Sequence, residues 1–309
     1  MVISCGRYAP TPSGRLHLGN ARTALLAWLW ARAQGGRYVM RVEDLDPDRS
    51  RPVYERDQLD DLLWLGLPWD EGPRMGGPQA PYRQSERGQR YAAALADLET
   101  FECTCTRREL REATLAPHGR EPVYPGTCRA AVSHPDRPAA VRWKVPPGVV
   151  EVDDLVAGRL REDVVKDVGD FVLRRTDQAW AYQLAVVVDD AAMGVTHVLR
   201  GADLVASTAR QVLLQRTLGL PTPQYAHVPL VLGPDGAKLG KRHGAPDITR
   251  LREAGADPRR VVAWLANSAG LVPAGVQRVE AAALVADFDL AAVPREDVVL
   301  APGALDALG

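Results

Sequence analysis

The chain has 309 residues, 46% hydrophobic and 25% charged, with a formal net charge of −1. That length allows two compact units with real cores, and the balanced charge argues against a protein that grips nucleic acid with its whole surface. There is no apolar run of about 18 residues and no basic-then-apolar leader at the N-terminus, so no membrane span or signal peptide is indicated and a cytoplasmic location is expected.

Taken in chain order, residues 2–7 (VISCGR) read as a short strand. A Pro- and Gly-punctuated turn follows, YAPTPSGRLHLGN, residues 8–20. Residues 20–34 read as a helix, with Leu25, Trp28 and Leu29 at helical spacing and Gly35-Gly36 as its stop. RYVMRVED, 37–44, is a second strand ending in two acids. Strand, loop, helix, strand is a βαβ unit, so a parallel α/β sheet is expected. Ligands of such sheets sit at the carboxyl ends of the strands, which would gather Arg7, His17, Glu43 and Asp44 at one edge.

Residues 53–66 and 84–99 read as helices. From 101 to 181 the character changes to cysteines, prolines and short β-like pieces (AAVRWKV, DFVLRR), read as an inserted α+β domain. The α/β pattern resumes at Tyr182. There LAVVVDD is expected as a buried strand and GVTHVLRG as another. STARQVLLQRTLG is expected as a helix with Ser207 as N-cap, and HVPLVLG as a further strand. The catalytic part is thus divided into 1–100 and 182–245, with a helical, Ala-rich segment over 246–309.

Three groups of residues carry chemistry. A helix N-terminus offers free N–H groups and partial positive charge to phosphate. Gly19 lets a phosphate approach the backbone there, while His17 and Asn20 add donors without bulk. Of 38 basic residues only four are lysines, and two of these, Lys238 and Lys241, fall in one glycine-flanked loop, GPDGAKLGKRHG. A compact ammonium can follow a moving phosphate where a planar guanidinium cannot. A P-loop is excluded, because Asp235 and Arg242 stand where Gly and Ser or Thr would be needed, and no G-x-G-x-x-G follows a strand. The third group is Cys103, Cys105 and Cys128. With Tyr124 or His118 as a fourth ligand they have the makings of a zinc site, although C-x-C is tighter than the usual C-x2-C. Cys5 lies outside this cluster and is expected in the core.

HLGN in the first βα turn and KLGKR in a late loop match the HIGH and KMSKS signatures, so the chain resembles a class I aminoacyl-tRNA synthetase. RYAPTPSGRLHLGNARTALLAWLWAR, RVEDLDPDR, DLLWLGLPWDEGP, YRQSER and RGADLVASTARQVLLQRTLG are similar to the glutamyl-tRNA synthetase group over about residues 5–250. The chain lacks a large anticodon-binding part after the lysine loop and has CTC followed by YPGTC. In both respects it resembles the glutamyl-Q tRNA(Asp) synthetases.

The resemblance implies a Rossmann-type catalytic domain split by the insertion. It also implies ATP-dependent activation of L-glutamate and transfer of glutamate to queuosine in the anticodon of tRNA(Asp). Arg7 and Arg200 would hold carboxylates by forked hydrogen bonds, Glu43 the ammonium, and Tyr182 a hydroxyl contact, with the Ala9 backbone and Thr11 lining the pocket. His17, Gly19, Asn20, Lys238 and Lys241 would handle ATP and its Mg2+, Lys241 being the main transition-state contact and Lys238 the second. The resemblance selects Tyr124 as the fourth ligand of a structural zinc. Val186 stands where glutamyl-tRNA synthetases usually have asparagine, which would remove a polar contact from the pocket and weaken glutamate binding. Arg107, Arg108 and Arg111, with Arg250, Arg252, Arg259 and Arg260, are the candidate RNA contacts, and a monomer is expected. Two other readings use the same motifs: a truncated synthetase charging a tRNA 3′ end, and a non-catalytic RNA-binding relic. The absent C-terminal half argues against the first, and the intact signatures against the second.

Overall fold

In a computed structural model of the chain, residues 3–114, 123–239 and 245–301 are described, with 303, 305 and 308 beyond them and 111–114 as backbone alone. Strand β1 (Cys5–Tyr8) is buried at every position. It runs parallel to β2 (Arg37–Met40), with Cys5 opposite Arg37 and Tyr8 opposite Met40. Between them α1 (Leu18–Ala33) is buried over most of its circumference. It packs on the sheet on one side and on a C-terminal helix on the other. A helix covered on two sides shows no single apolar stripe. Gly6 permits the close approach of β1 to α1: a Cβ there would lie 2.9 Å from the Ala31 Cβ. Leu25, Leu26 and Leu29 of α1 are fully buried in the core, each stabilising the fold by roughly 1.5–3 kcal/mol.

Next come α2 (Pro52–Trp64), α3 (Gly88–Ala96), β3 (Thr100–Cys103), α4 (Arg107–Thr114), β4 (Ala140–Trp143), β5 (Val149–Asp154), β6 (Gly158–Asp163) and β7 (Val172–Arg174). Strands β3, β4 and β7 form an antiparallel sheet, and β5–β6 a separate hairpin. The hairpin lies against the main sheet, Leu155 N donating to Tyr225 O at 3.0 Å. After α5 (Tyr182–Ala192), β8 (His197–Gly201), α6 (Thr208–Thr217) and β9 (Gln224–Val228) complete a second parallel unit. The main sheet has the order β2-β1-β8-β9, all parallel. This is the α/β architecture expected, and its strand order reverses between β1 and β8, where a ligand crevice is favoured. The chain continues through β10 (Val231–Leu232), α7 (Ile248–Glu253), α8 (Pro258–Ser268) and β11 (Val298–Val299), which pairs with β10. No helix among the described residues is long and apolar enough to cross a membrane.

Several local expectations need correction. LAVVVDD is not a strand but most of α5. A short apolar run has no periodicity that separates a buried strand from a buried helix, and three adjacent valines bias the reading toward a strand. The helix reaches 11 residues because Tyr182 and Gln183 begin it and Gly194, at φ +67°, follows its end. Ser207 is in a helical conformation and makes no side-chain cap. A 3-10 turn, Ala202–Ser207, runs straight into α6, and the Ser207 hydroxyl instead accepts from Gln183 Nε2 at 3.0 Å. HVPLVLG is broken at Pro229 into β9 and β10, since proline has no N–H to continue the ladder. Beyond Ser268 the described part of the segment expected to be helical is mostly irregular, with short 3-10 turns and β11. Cys5 is fully buried in the core, as expected.

Candidate active site

The loop between β1 and α1 is held by α2. Gln58 Nε2 donates to Thr11 O at 3.0 Å and to Gly14 O at 2.7 Å, and Asp57 pairs with Arg15 at 3.0 Å. Backbone bonds from Glu43 N to Pro10 O and from Arg51 N to Pro12 O tie down the prolines. His17 is the N-cap of α1, in an extended conformation, and its Nδ1 accepts from Asn20 N at 3.4 Å. A ring that accepts at Nδ1 keeps its proton on Nε2. Burial, with help from nearby Lys238, lowers the His17 pKa, so the imidazole stays neutral and retains one N–H to donate.

At the carboxyl ends of β1, β2 and β8 a cavity of about 680 Å³ opens. Arg7, Ala9, Thr11, Glu43, Tyr182 and Arg200 line it, and so do His17, Gly19, Asn20 and Lys238. Arg7 is buried, its Nη1 donating to Leu199 O at 3.1 Å and its Nε standing 3.6 Å from Asp190 Oδ1. Glu43 accepts from Arg41 Nη2 at 3.1 Å. Burial raises the Glu43 pKa, partly offset by Arg41 and Arg7. Arg200 donates from Nε to His227 Nε2 at 2.9 Å, from Nη1 to Gln211 at 2.7 Å and Tyr182 Oη at 3.4 Å, and from Nη2 to Thr208 at 3.1 Å. The fork expected of Arg200 is therefore largely occupied from within, and its Nη1 lies on the side of Tyr182, which also lines the cavity. Lys238 is paired with Asp203 at the cavity rim.

The profile of the family described as tRNA synthetases class I (E and Q), catalytic domain, matches residues 5–289. A protein of Symbiobacterium thermophilum named glutamyl-Q tRNA(Asp) synthetase is 51% identical, the alignment covering 98% of each chain. One of the same name from Deinococcus radiodurans is 54% identical over 85% of this chain and 88% of its own. The chain belongs to the glutamyl-Q tRNA(Asp) synthetases, within the class I glutamyl and glutaminyl family. The fold agrees: the crystal structure of glutamate-tRNA synthetase from Elizabethkingia anophelis superposes with a TM-score of 0.84 at 29% identity, covering 99% of this chain and 70% of that one.

Not every residue singled out in the sequence is found at the cavity. Asp44 does not join the cavity lining; its carboxylate accepts from the backbone and hydroxyl of Ser85. Val186 is buried in the apolar cluster with Leu184 and Val187 and is not among the residues that line the cavity. Lys241, the main catalytic expectation, lies outside the described residues, as does His118, the alternative zinc ligand. Of the expected RNA contacts, Arg250, Arg252 and Arg259 are paired with Asp247, Asp61 and Asp257.

Other residues escaped the sequence reading. Arg41 bridges Glu43 and Asp190, the latter at 2.7 Å. Asp189, fully buried, accepts from Arg87, from Gln84 at 2.9 Å and from Tyr91 at 2.7 Å. The doublet Asp189-Asp190 was visible as two acids ending an apolar run. Only the helical pitch of α5 explains how both side chains are buried and paired.

Cys103, Cys105 and Cys128 have their Sγ atoms within 4.8 Å of one another. The Cys105–Cys128 separation is 3.6 Å, and Tyr124 Oη lies 3.4 Å from Cys103 and 3.9 Å from Cys105. Sulfurs about 2.3 Å from a tetrahedral zinc stand roughly 3.8 Å apart, so the thiols fit such an ion. Burial raises the Cys128 thiol, but bonds from Ser133 and backbone N–H groups outweigh it and bring the pKa down to about 5. That favours the thiolate a metal needs. Burial holds Cys105 up at about 11.

Proposed function

We propose that this cavity activates L-glutamate with ATP and that the enzyme, a ligase, passes the glutamyl group to the queuosine base in the anticodon of tRNA(Asp). One observation carries the reading: a single cavity holds two arginines, an acid and a tyrosine suited to glutamate, together with a helix N-terminus and a lysine suited to phosphate. The carboxylate that attacks phosphorus must face the N-terminus of α1. The side-chain carboxylate is left for Arg7 and for Arg200 with Tyr182, and the ammonium for Glu43.

In the first step the α-carboxylate oxygen bonds to the α-phosphorus of ATP and the bond to the β-phosphate oxygen breaks, giving glutamyl-adenylate and pyrophosphate. The free N–H groups of α1, His17 Nε2–H, Asn20 and Lys238 offset charge growing on the phosphates, and Lys241 is expected to do the same. Magnesium accompanies ATP and supplies further charge. In the second step a hydroxyl of the queuosine cyclopentene diol bonds to the adenylate carbonyl carbon, its proton leaves and AMP departs. Neither step needs a nucleophilic side chain from the protein.

Zinc held by Cys103, Cys105, Cys128 and Tyr124 is proposed to be structural, fixing a Pro-rich segment with little core of its own. The test of the function is to incubate the enzyme with ATP, labelled glutamate and bulk tRNA, then locate the label by nuclease digestion. Label on the queuosine nucleotide supports the reading. Label only on the 3′-terminal adenosine gives the activity of an ordinary glutamyl-tRNA synthetase, and no label at all the relic.

A further inference from the structure

Behind Arg200 runs a buried polar chain that the reaction as described does not use. His227 Nε2 accepts from Arg200 Nε at 2.9 Å, and His227 Nδ1 lies 2.6 Å from Asp154 Oδ2. The side chains of His227 and Asp154 are both 0% exposed. Asp154 ends β5 in the inserted segment, while His227 is on β9 and Arg200 on β8. Three elements distant in sequence thus meet at one imidazole.

The geometry fixes which nitrogen carries the proton. An arginine Nε can only donate, so His227 Nε2 is an acceptor and Nδ1 carries the hydrogen. Asp154 must then be the ionised acceptor. Its other oxygen, Oδ1, accepts from the backbone N–H of Val156 at 3.0 Å, Ala157 at 2.7 Å and His227 at 3.1 Å. Burial raises the carboxyl pKa, but the His227 ring and these N–H groups outweigh it and hold it at about 2.

We infer that Asp154 and His227 are positioning residues for glutamate: Asp154 sets the His227 tautomer, and the tautomer orients the Arg200 guanidinium toward the substrate. The inference rests on the reading of Arg200 as a glutamate ligand. It assigns the β5–β6 hairpin of the insertion a part in amino-acid recognition.

Asp154→Asn tests it with almost no change of shape. The three backbone donors hold the amide oxygen at the Oδ1 position, so the NH2 group faces His227 Nδ1. The ring must then accept at Nδ1 and carry its proton on Nε2, where it confronts Arg200 Nε–H. The same inversion of tautomer by an aspartate-to-asparagine change is costly in a Ser-His-Asp triad.

In pyrophosphate exchange we expect the KM for glutamate to rise roughly tenfold or more, while the KM for ATP stays within about twofold. His227→Asn, too short to reach Arg200, should raise the glutamate KM similarly. Combining it with Asp154→Asn should add little, because Asp154 acts through His227. Penalties that multiply in the double variant, or that fall on kcat and ATP alike, would mean a structural role and overturn the inference.

A direct readout needs no variant: imidazole 15N NMR of the wild-type enzyme should show His227 protonated at Nδ1, and an Nε2–H ring would end the idea. Arg200→Gln separates the two levels. If it leaves the glutamate KM unchanged, the reading of the site fails; if it raises that KM and Asp154→Asn does not, only the relay fails.

Discussion

Gly19 gives the sharpest separation of function from stability. It is the second residue of α1, and a Cβ there would meet His17 Nδ1 at 3.3 Å and Cε1 at 3.4 Å. The imidazole must shift by a few tenths of an ångström, and its capping bond to Asn20 N, already 3.4 Å long, is lost. A lost cap bond costs about 1 kcal/mol. Alanine in place of glycine in a helix returns up to about 1 kcal/mol. Net stability should therefore move by no more than about 1 kcal/mol, a Tm change of about 3 °C or less.

Function should not be spared. The methyl group occupies the approach of phosphate to the α1 N-terminus, and the displaced ring misdirects Nε2–H. Loss of one charge-assisted bond at roughly 1.5–3 kcal/mol corresponds to about a 10- to 150-fold loss in kcat/KM for ATP. Thermal melting and ATP–pyrophosphate exchange on Gly19→Ala measure both. Unchanged exchange would refute the argument that phosphate lies against this turn.

Three further outcomes follow from the geometry. Glu43 has to be ionised to hold an ammonium, and burial raises its pKa; kcat/KM for glutamate should fall toward acid along a limb lying above the ordinary glutamate range, and Glu43→Gln should lower the rate and abolish that limb in a pH–rate profile. Asp189→Ala leaves Arg87 buried without its carboxylate, which should cost about 3–5 kcal/mol and lower the Tm by about 10 °C. Cys105→Ser should reduce bound zinc, by elemental analysis, from about one per chain toward none and lower the Tm, while the enzyme, whose cavity none of the three cysteines lines, keeps most of its exchange activity.

The first βαβ unit was legible because its periods are unambiguous: β1, α1 and β2 lie within a few residues of their expected bounds. Arg7, Glu43, Tyr182 and Arg200 were legible as residues, since each sits in a long segment similar to a known group, and the structure brings them into one cavity. Tyr182 arrived there by a route not foreseen, at the start of a helix rather than beside a strand. The supporting polar network was not legible. Asp154 and His227 are 73 positions apart, and nothing local marks an aspartate in a β-hairpin as the partner of a histidine on another sheet. The pairing of Lys238 with Asp203 was hidden for the same reason: pairing across a cavity rim leaves no periodic trace.

The central claim is that glutamate and nucleotide share the crevice between β1 and β8. It is tested most directly by the position of a non-hydrolysable glutamyl-adenylate analogue in a crystal structure of the complex. The side-chain carboxylate is predicted within about 3 Å of Arg7 or Arg200, the ammonium at Glu43, and the phosphate substitute at His17 and Asn20. An analogue bound outside this cavity, or one with its side-chain carboxylate turned toward His17, would contradict the account.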